Sequence, residues 1–307
     1  MKKLVFLVRS GLLSACLLPL CGVRAQAANE SSIDFDAAFR KFRADDGSVS
    51  RPRQIATSGE IQYETLSGME RARLVRLAHC ANAAYRDVAI PDGYRAFSGD
   101  DWKMVVLGRH YDGFKYDQDG YVDMGSGLRA RLMFEKATGN IVVAFSGCDL
   151  STNLWDGFKD ALSIVSHWRG KIKDNQYKQA LDLFNGLLLT YPSSRFEVVG
   201  HSLGGGLTTF IVATCNDAAE RVTGATFNGL GLSEAVSQRY VTSWRKERAD
   251  KFLVNVKFSD DVVFKLPGMH YGPVYNLDYA GSQDDQTVFS NLRSAHLLKE
   301  LIRQMEK

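Results

Sequence analysis

Two apolar periods alternate along the second half of the chain. Residues 128–135 and 140–145 are short, nearly continuous apolar runs separated by Thr138-Gly139-Asn140, which predicts a hairpin. Residues 152–168 and 175–190 carry apolar side chains at helical spacing. Strand-like runs at 196–199, 222–227 and 252–258 bracket a helix over 203–215, and 291–305 reads as a closing amphipathic helix. Strands that alternate with helices predict a mostly parallel central sheet with helices on both faces, an α/β fold. Upstream, Ile33, Phe35, Phe39 and Phe42 predict a helix over 31–43, and Leu74, Leu77, Ala78, Ala81 and Tyr85 predict one over 69–87. Residues 44–60 are polar, contain Arg51-Pro52-Arg53, and read as a loop. Residues 91–127 are rich in Gly, Asp and aromatics and read as irregular excursions with short strands.

The first residues read as an export signal. Lys2, Lys3 and Arg9 precede an apolar stretch over 11–23, and Ala25-Gln26-Ala27 offers a small-x-small cleavage site. Cleavage near Ala27 is expected, giving a signal peptide over 1–27 and a single domain over 28–307. The alternative readings are an uncleaved anchor and, from Leu13-Ser14-Ala15-Cys16, lipoprotein anchoring at Cys16. The stretch before Cys16 is very short after Arg9, which favours ordinary cleavage into the periplasm or medium.

Removing residues 1–27 changes the charge balance. The whole chain has 38 basic and 35 acidic residues; without Lys2, Lys3, Arg9 and Arg24 the remainder has 34 basic against 35 acidic. A net charge of −1 gives no electrostatic footing for nucleic acid. Of five cysteines, Cys80, Cys148 and Cys215 remain, so at most one disulfide forms within the chain. No Cys-x-x-Cys or His-x-x-x-His spacing points to a metal. Asp117-Gln118-Asp119-Gly120 lacks the further spaced acids and later Glu of a calcium loop and reads as a polar turn.

The most informative stretch is 196–207. An apolar, β-branched run feeds Gly200-His201-Ser202-Leu203-Gly204, and small residues open a helix directly after it. This is the setting of a nucleophile elbow, with Ser202 at the end of a strand and over a helix N-terminus. A serine hydroxyl needs a base to take its proton, and the base needs an orienting acid. In the α/β-hydrolase order the acid and then the histidine follow the serine. Only His270 and His296 follow Ser202. Asp260 and Asp261 both follow the strand at 252–258, and position alone does not separate them.

The motifs resemble the class 3, fungal-lipase-like branch of the α/β-hydrolases, and also the related Mbeg1-like bacterial hydrolases. The resemblance covers roughly 70–305. It is carried by the run Ile141-Val142-Val143-Ala144-Phe145-Ser146-Gly147-Cys148, by Asn153-Leu154-Trp155-Asp156, by the elbow, by Asp261-Val262-Val263-Phe264-Lys265-Leu266-Pro267, and by Ala295-His296-Leu297-Leu298. It implies an α/β-hydrolase fold and a triad of Ser202 as nucleophile, His296 as base and Asp261, rather than Asp260, as orienter. His270-Tyr271-Gly272 matches a downstream His-x-Gly that is not the base in the family, so His270 is the runner-up. His201, His79, His110 and His167 read as packing or surface residues. The oxyanion donors implied are the N–H groups of Leu203 and Cys148.

Two departures stand out: Ser146 replaces an arginine that ties down the loop, and Cys148 replaces a Thr or Ser. Residues 154–168 fall where the family has a lid. They read either as a helix packed on the core or as a lid offering apolar surface to an acyl chain, with transient contact at a lipid interface. The expected function is an exported serine hydrolase of acyl esters, a lipase or phospholipase A1-like enzyme with no cofactor. The alternative is an inactive protein of the same fold that binds a lipid or a protein partner.

Overall fold

The computed structural model describes residues 60–106, 111, 113–124, 128–147, 174–215, 220–261, 263–266, 268–278 and 297–307. These belong to a compact unit spanning Ser50–Lys307. The expected export signal, the helix over 31–43 and the candidate lid at 154–168 lie outside the described residues.

Strand order follows the hydrophobic runs. The hairpin forms as expected from β5 (Arg129–Glu135) and β6 (Ile141–Phe145), antiparallel with Leu132 opposite Val143. From β6 the sheet continues through β7 (Phe196–His201), β8 (Val222–Phe227), β9 (Leu253–Phe258), β10 (Val274–Leu277) and β1 (Ile61–Gln62), every neighbouring pair parallel. On the other side of β5 the ladder turns antiparallel through β4 (Tyr121–Asp123) and β3 (Lys115–Tyr116), while β2 (Tyr94–Ala96) also pairs with β5.

The central strands are buried on both faces, so their side chains divide by alternation. Val142 and Ala144 of β6, Val199 of β7, Ala225 and Phe227 of β8, and Val256 and Phe258 of β9 point to one face. There they join α1 (Gly68–Asn82) and α7 (Leu298–Met305) in a common core. The opposite face is covered by α3 (Asp174–Thr190), α4 (Leu203–Thr214) and α6 (Ser243–Phe252). Helix α4 is buried on all sides after its first residue, as a helix with an almost wholly apolar or small-residue surface must be.

Helix α7 shows which contacts hold an element. It buries Leu298, Leu301, Ile302 and Met305 against α1, each worth on the order of 1.5–3 kcal/mol. The hydrogen bond between Glu306, just past its end, and His79 at 2.7 Å is half exposed and contributes at most about 1 kcal/mol. Burial therefore sets its position.

Some elements depart from the sequence expectation. Helix α1 stops at Asn82 rather than running to 87, because the carbonyls of Ala83, Tyr85 and Val88 are taken by side chains from β4 and β5 instead of by a further turn. Within 91–127, α2 (Gly99–Val106) was not anticipated, although Ser98 and Asp101 form a reciprocal cap: Asp101 N donates to Ser98 Oγ and Ser98 N to Asp101 Oδ2. The turn at Asp117 forms as read, with Asp117 Oδ1 accepting the N–H groups of Asp119 and Tyr121. Helix α5 (Glu234–Tyr240), helix α6, strand β10 and strand β1 also carried no clear signal.

Candidate active site

Strand β7 ends at His201 and α4 begins at Leu203, so the whole change of direction falls on Ser202. Its backbone sits at φ 57°, ψ −126°, a conformation that costs a residue with a side chain about 1–3 kcal/mol. Three hydrogen bonds hold it there. Ser202 N donates to Phe227 O at 3.3 Å, and Ser202 O accepts from Gly205 N at 3.0 Å and Leu230 N at 2.8 Å. The side chain remains partly exposed.

The flanking glycines are required by close approach. A Cβ on Gly200 would lie 2.2 Å from Gly204 O, and one on Gly204 would lie 2.2 Å from Phe145 O. Both are backbone atoms and cannot give way. The absence of both side chains lets α4 start against the end of β6 and brings Ser146 and Gly147 beside the serine. A Cβ on Gly147 would stand 3.1 Å from that of Ser202. Leu203 N–H belongs to the first turn of α4, where an N–H has no intrahelical acceptor and the helix dipole favours negative charge. Cys148, the next residue after Gly147, lies outside the described residues.

The two aspartates after β9 separate clearly. Asp261 is completely buried; its Oδ1 accepts Phe264 N at 2.6 Å, and its own N donates to Phe258 O at 3.1 Å. Asp260 is exposed and faces Lys265 Nζ at 3.5 Å. Strands β7 and β9 are separated by β8 alone, so Ser202 and Asp261 leave the sheet roughly 10 Å apart, at the ends of strands running in one direction. His296 lies outside the described residues.

His270 has a different character. Its ring stacks on Phe264 at 3.7 Å, and its Nε2–H donates to Phe264 O at 3.2 Å. Burial, with a smaller contribution from the Lys257 ammonium, lowers its pKa to about 4. A base this weak is poorly matched to proton abstraction near neutral pH. It titrates on unfolding instead. The unfolded chain takes up a proton as pH falls below about 6.5, and the folded chain does so only near pH 4. The stability that this group contributes is complete above pH 6.5 and declines by about 1.4 kcal/mol per pH unit on the way down. His270→Gln, which retains an N–H donor without the titration, is expected to lack this component. Urea unfolding of both proteins between pH 7 and 4 checks it.

The remaining histidines and cysteines are structural where described. His201 is buried, and His79 lies on α1 at its contact with α7. Cys80 and Cys215 are buried thiols, neither in a disulfide. Burial pushes the Cys80 thiol up to about 12, far from a reactive thiolate.

A serine in a strained strand-to-helix turn, on a mostly parallel sheet with helices on both faces, defines an α/β-hydrolase. Within that class the chain belongs to the phospholipase-like family described as the Tle-like phospholipase domain, which matches residues 76–293. It is also 28% identical over 230 residues to a protein of Mycosarcoma maydis described as putative lipase ATG15, the match covering 61% of this chain and 43% of the relative. The chain thus spans less than half the length of the curated relative it matches. Similar solved structures include the Lip2 lipase of Yarrowia lipolytica, at 14% identity, with 70% of this chain and 80% of that one covered and a TM-score of 0.41. A triacylglycerol lipase of Penicillium expansum is 16% identical, with 70% and 82% covered and a TM-score of 0.42. It is the family match that places the chain among the phospholipase-like hydrolases.

Proposed function

We propose that this protein hydrolyses acyl esters of lipids through an acyl-enzyme formed on Ser202. The observation that carries the reading is the elbow itself: a strained, partly exposed serine seated against Gly147, with the buried Asp261 leaving the sheet two strands away. In this reading His296 removes the Ser202 proton as Oγ attacks the ester carbonyl carbon. The resulting oxyanion is met by the N–H groups of Leu203 and Cys148. The tetrahedral species expels the alcohol, which takes the proton from His296. Water then attacks the acyl-enzyme with His296 again as base, and the fatty acid leaves with Ser202 restored.

Asp261 orients the imidazole and stabilises its charged form. Its position is supported by its burial and by Leu298, two residues beyond His296, which packs in the same core as Phe258 at the end of β9. The chemistry needs no cofactor. Lipid esters, phospholipids in particular, are favoured as substrates by the description of the family. Residues 1–27 act as an export signal cleaved near Ala27, leaving 28–307 as one hydrolase domain outside the cytoplasm. Residues 154–168 serve as a lid that meets the lipid interface.

Turnover of p-nitrophenyl butyrate, p-nitrophenyl palmitate and phosphatidylglycerol vesicles by residues 28–307 tests the reading. Hydrolysis of the long ester and the phospholipid above the short ester is expected. Cleavage of the short ester alone would restrict the protein to small esters. Failure on all three by folded protein would leave a lipid-binding protein of this fold instead.

A further inference from the structure

The loop after α1 reaches the catalytic elbow through one side chain. Tyr85 Oη is hydrogen-bonded to His201 Nδ1 at 2.7 Å, with the two rings edge to face. The same hydroxyl would lie 2.6 Å from a Cβ on Gly147, whose other nearest neighbours would be His201 O and Ser202 Cβ. One phenol thus touches both halves of the site: the residue before the nucleophile, and the β6 end that leads into Cys148. Tyr85 and Ser146 also line a common recess.

Tyr85 is itself held by a rigid support. Tyr121 Oη donates to Tyr85 O at 2.7 Å. Arg131, buried on β5, donates through Nη1 to Ala83 O at 3.1 Å and Val88 O at 2.6 Å, and through Nε to Asp119 O at 2.9 Å. Its guanidinium lies over the Tyr121 ring at 4.3 Å. Burying a guanidinium costs several kcal/mol unless its donors are met. Here they meet the main chain on both sides of Tyr85. Arg131 pairs across the ladder with Ala144, two residues before Ser146. Its side chain fixes the segment over 83–88 that carries Tyr85.

We infer that Tyr85, braced by Tyr121 and Arg131, is a positioning residue that fixes His201 and the Gly147 backbone, and with them the oxyanion donors, relative to Ser202. It acts through its neighbours rather than on the substrate, so its contribution belongs to the transition state, where placement of the donors matters. The inference rests on the ester-hydrolase reading proposed above.

Tyr85→Phe removes only the hydroxyl. It is expected to lower kcat about tenfold, with KM within twofold and the melting temperature within a few degrees. The rate of labelling by a fluorophosphonate, whose tetrahedral adduct uses the same donors, should fall in proportion. Arg131→Lys, which keeps the charge but loses the planar fork, should show the same kcat-weighted loss; if it does not fold, Tyr85→Phe still decides. An unchanged kcat, a rise in KM alone, or a fall in activity that only follows a lowered melting temperature would each overturn the inference. Wild-type protein that neither hydrolyses nor labels would instead defeat the ester-hydrolase reading, and the positioning role with it.

Discussion

Ser202→Ala is expected to lower kcat on any substrate the wild type accepts by about 10⁴ to 10⁶, the range in which removal of an activated nucleophile falls. No second nucleophile stands ready in the described site, since Cys80 is buried on α1 and Cys215 is buried at the opposite end of α4 from Ser202. Folding should survive, because the three hydrogen bonds that hold this turn use main-chain atoms of Ser202. Ser202→Gly sharpens the test. It removes the same hydroxyl but tolerates φ 57° without a Cβ clash. It should lose activity equally and be about 1 kcal/mol more stable than Ser202→Ala, the relieved strain being partly offset by chain entropy. Esterase assays beside thermal unfolding of both variants check both halves. Substantial hydrolysis by Ser202→Ala would remove the serine from the mechanism.

Asp261→Asn should lower kcat by about 10⁴, the scale seen when a triad carboxylate becomes an amide and the imidazole loses its orientation and counter-charge. The amide keeps the volume of the side chain and an oxygen for Phe264 N, so the buried turn retains its hydrogen bond. Asp260→Asn should stay within twofold of wild type, because that carboxylate is exposed and its ion pair with the exposed Lys265, at 3.5 Å, is worth little. Parallel kcat measurements on the pair are decisive. Equal losses, or a loss confined to Asp260, would reassign the acid.

The two aspartates show where sequence reading runs out. They are adjacent in a polar turn after β9 and position alone does not separate them; a family resemblance in the following residues singles out Asp261, and the path of the chain buries it while leaving Asp260 exposed. The elbow was legible for the opposite reason. Its requirements of a strand, two glycines around x-Ser-x and a small-residue helix start are all met within a dozen consecutive residues. The β5–β6 hairpin was legible because its turn and its apolar runs are contiguous. Helix α6 was not. Its sequence, Ser-Trp-Arg-Lys-Glu-Arg-Ala-Asp-Lys-Phe, buries only Ala249 fully and so shows no apolar stripe. Strand β10 was missed because four residues are too few for a period, and its pairing with β9 is parallel and joined by a long connection.

By itself the sequence determined the α/β class, the position of the serine and the order of its candidate partners, because each depends on short-range periodicity or on the steric demands of a single turn. Only the tertiary structure decided which aspartate is buried, that His270 is locked as a weak base against Phe264, and that Tyr85 reaches His201 across 116 residues of chain. These are matters of burial and of contact between distant segments. They arise when the strands assemble into one sheet, and no local pattern of residues encodes them.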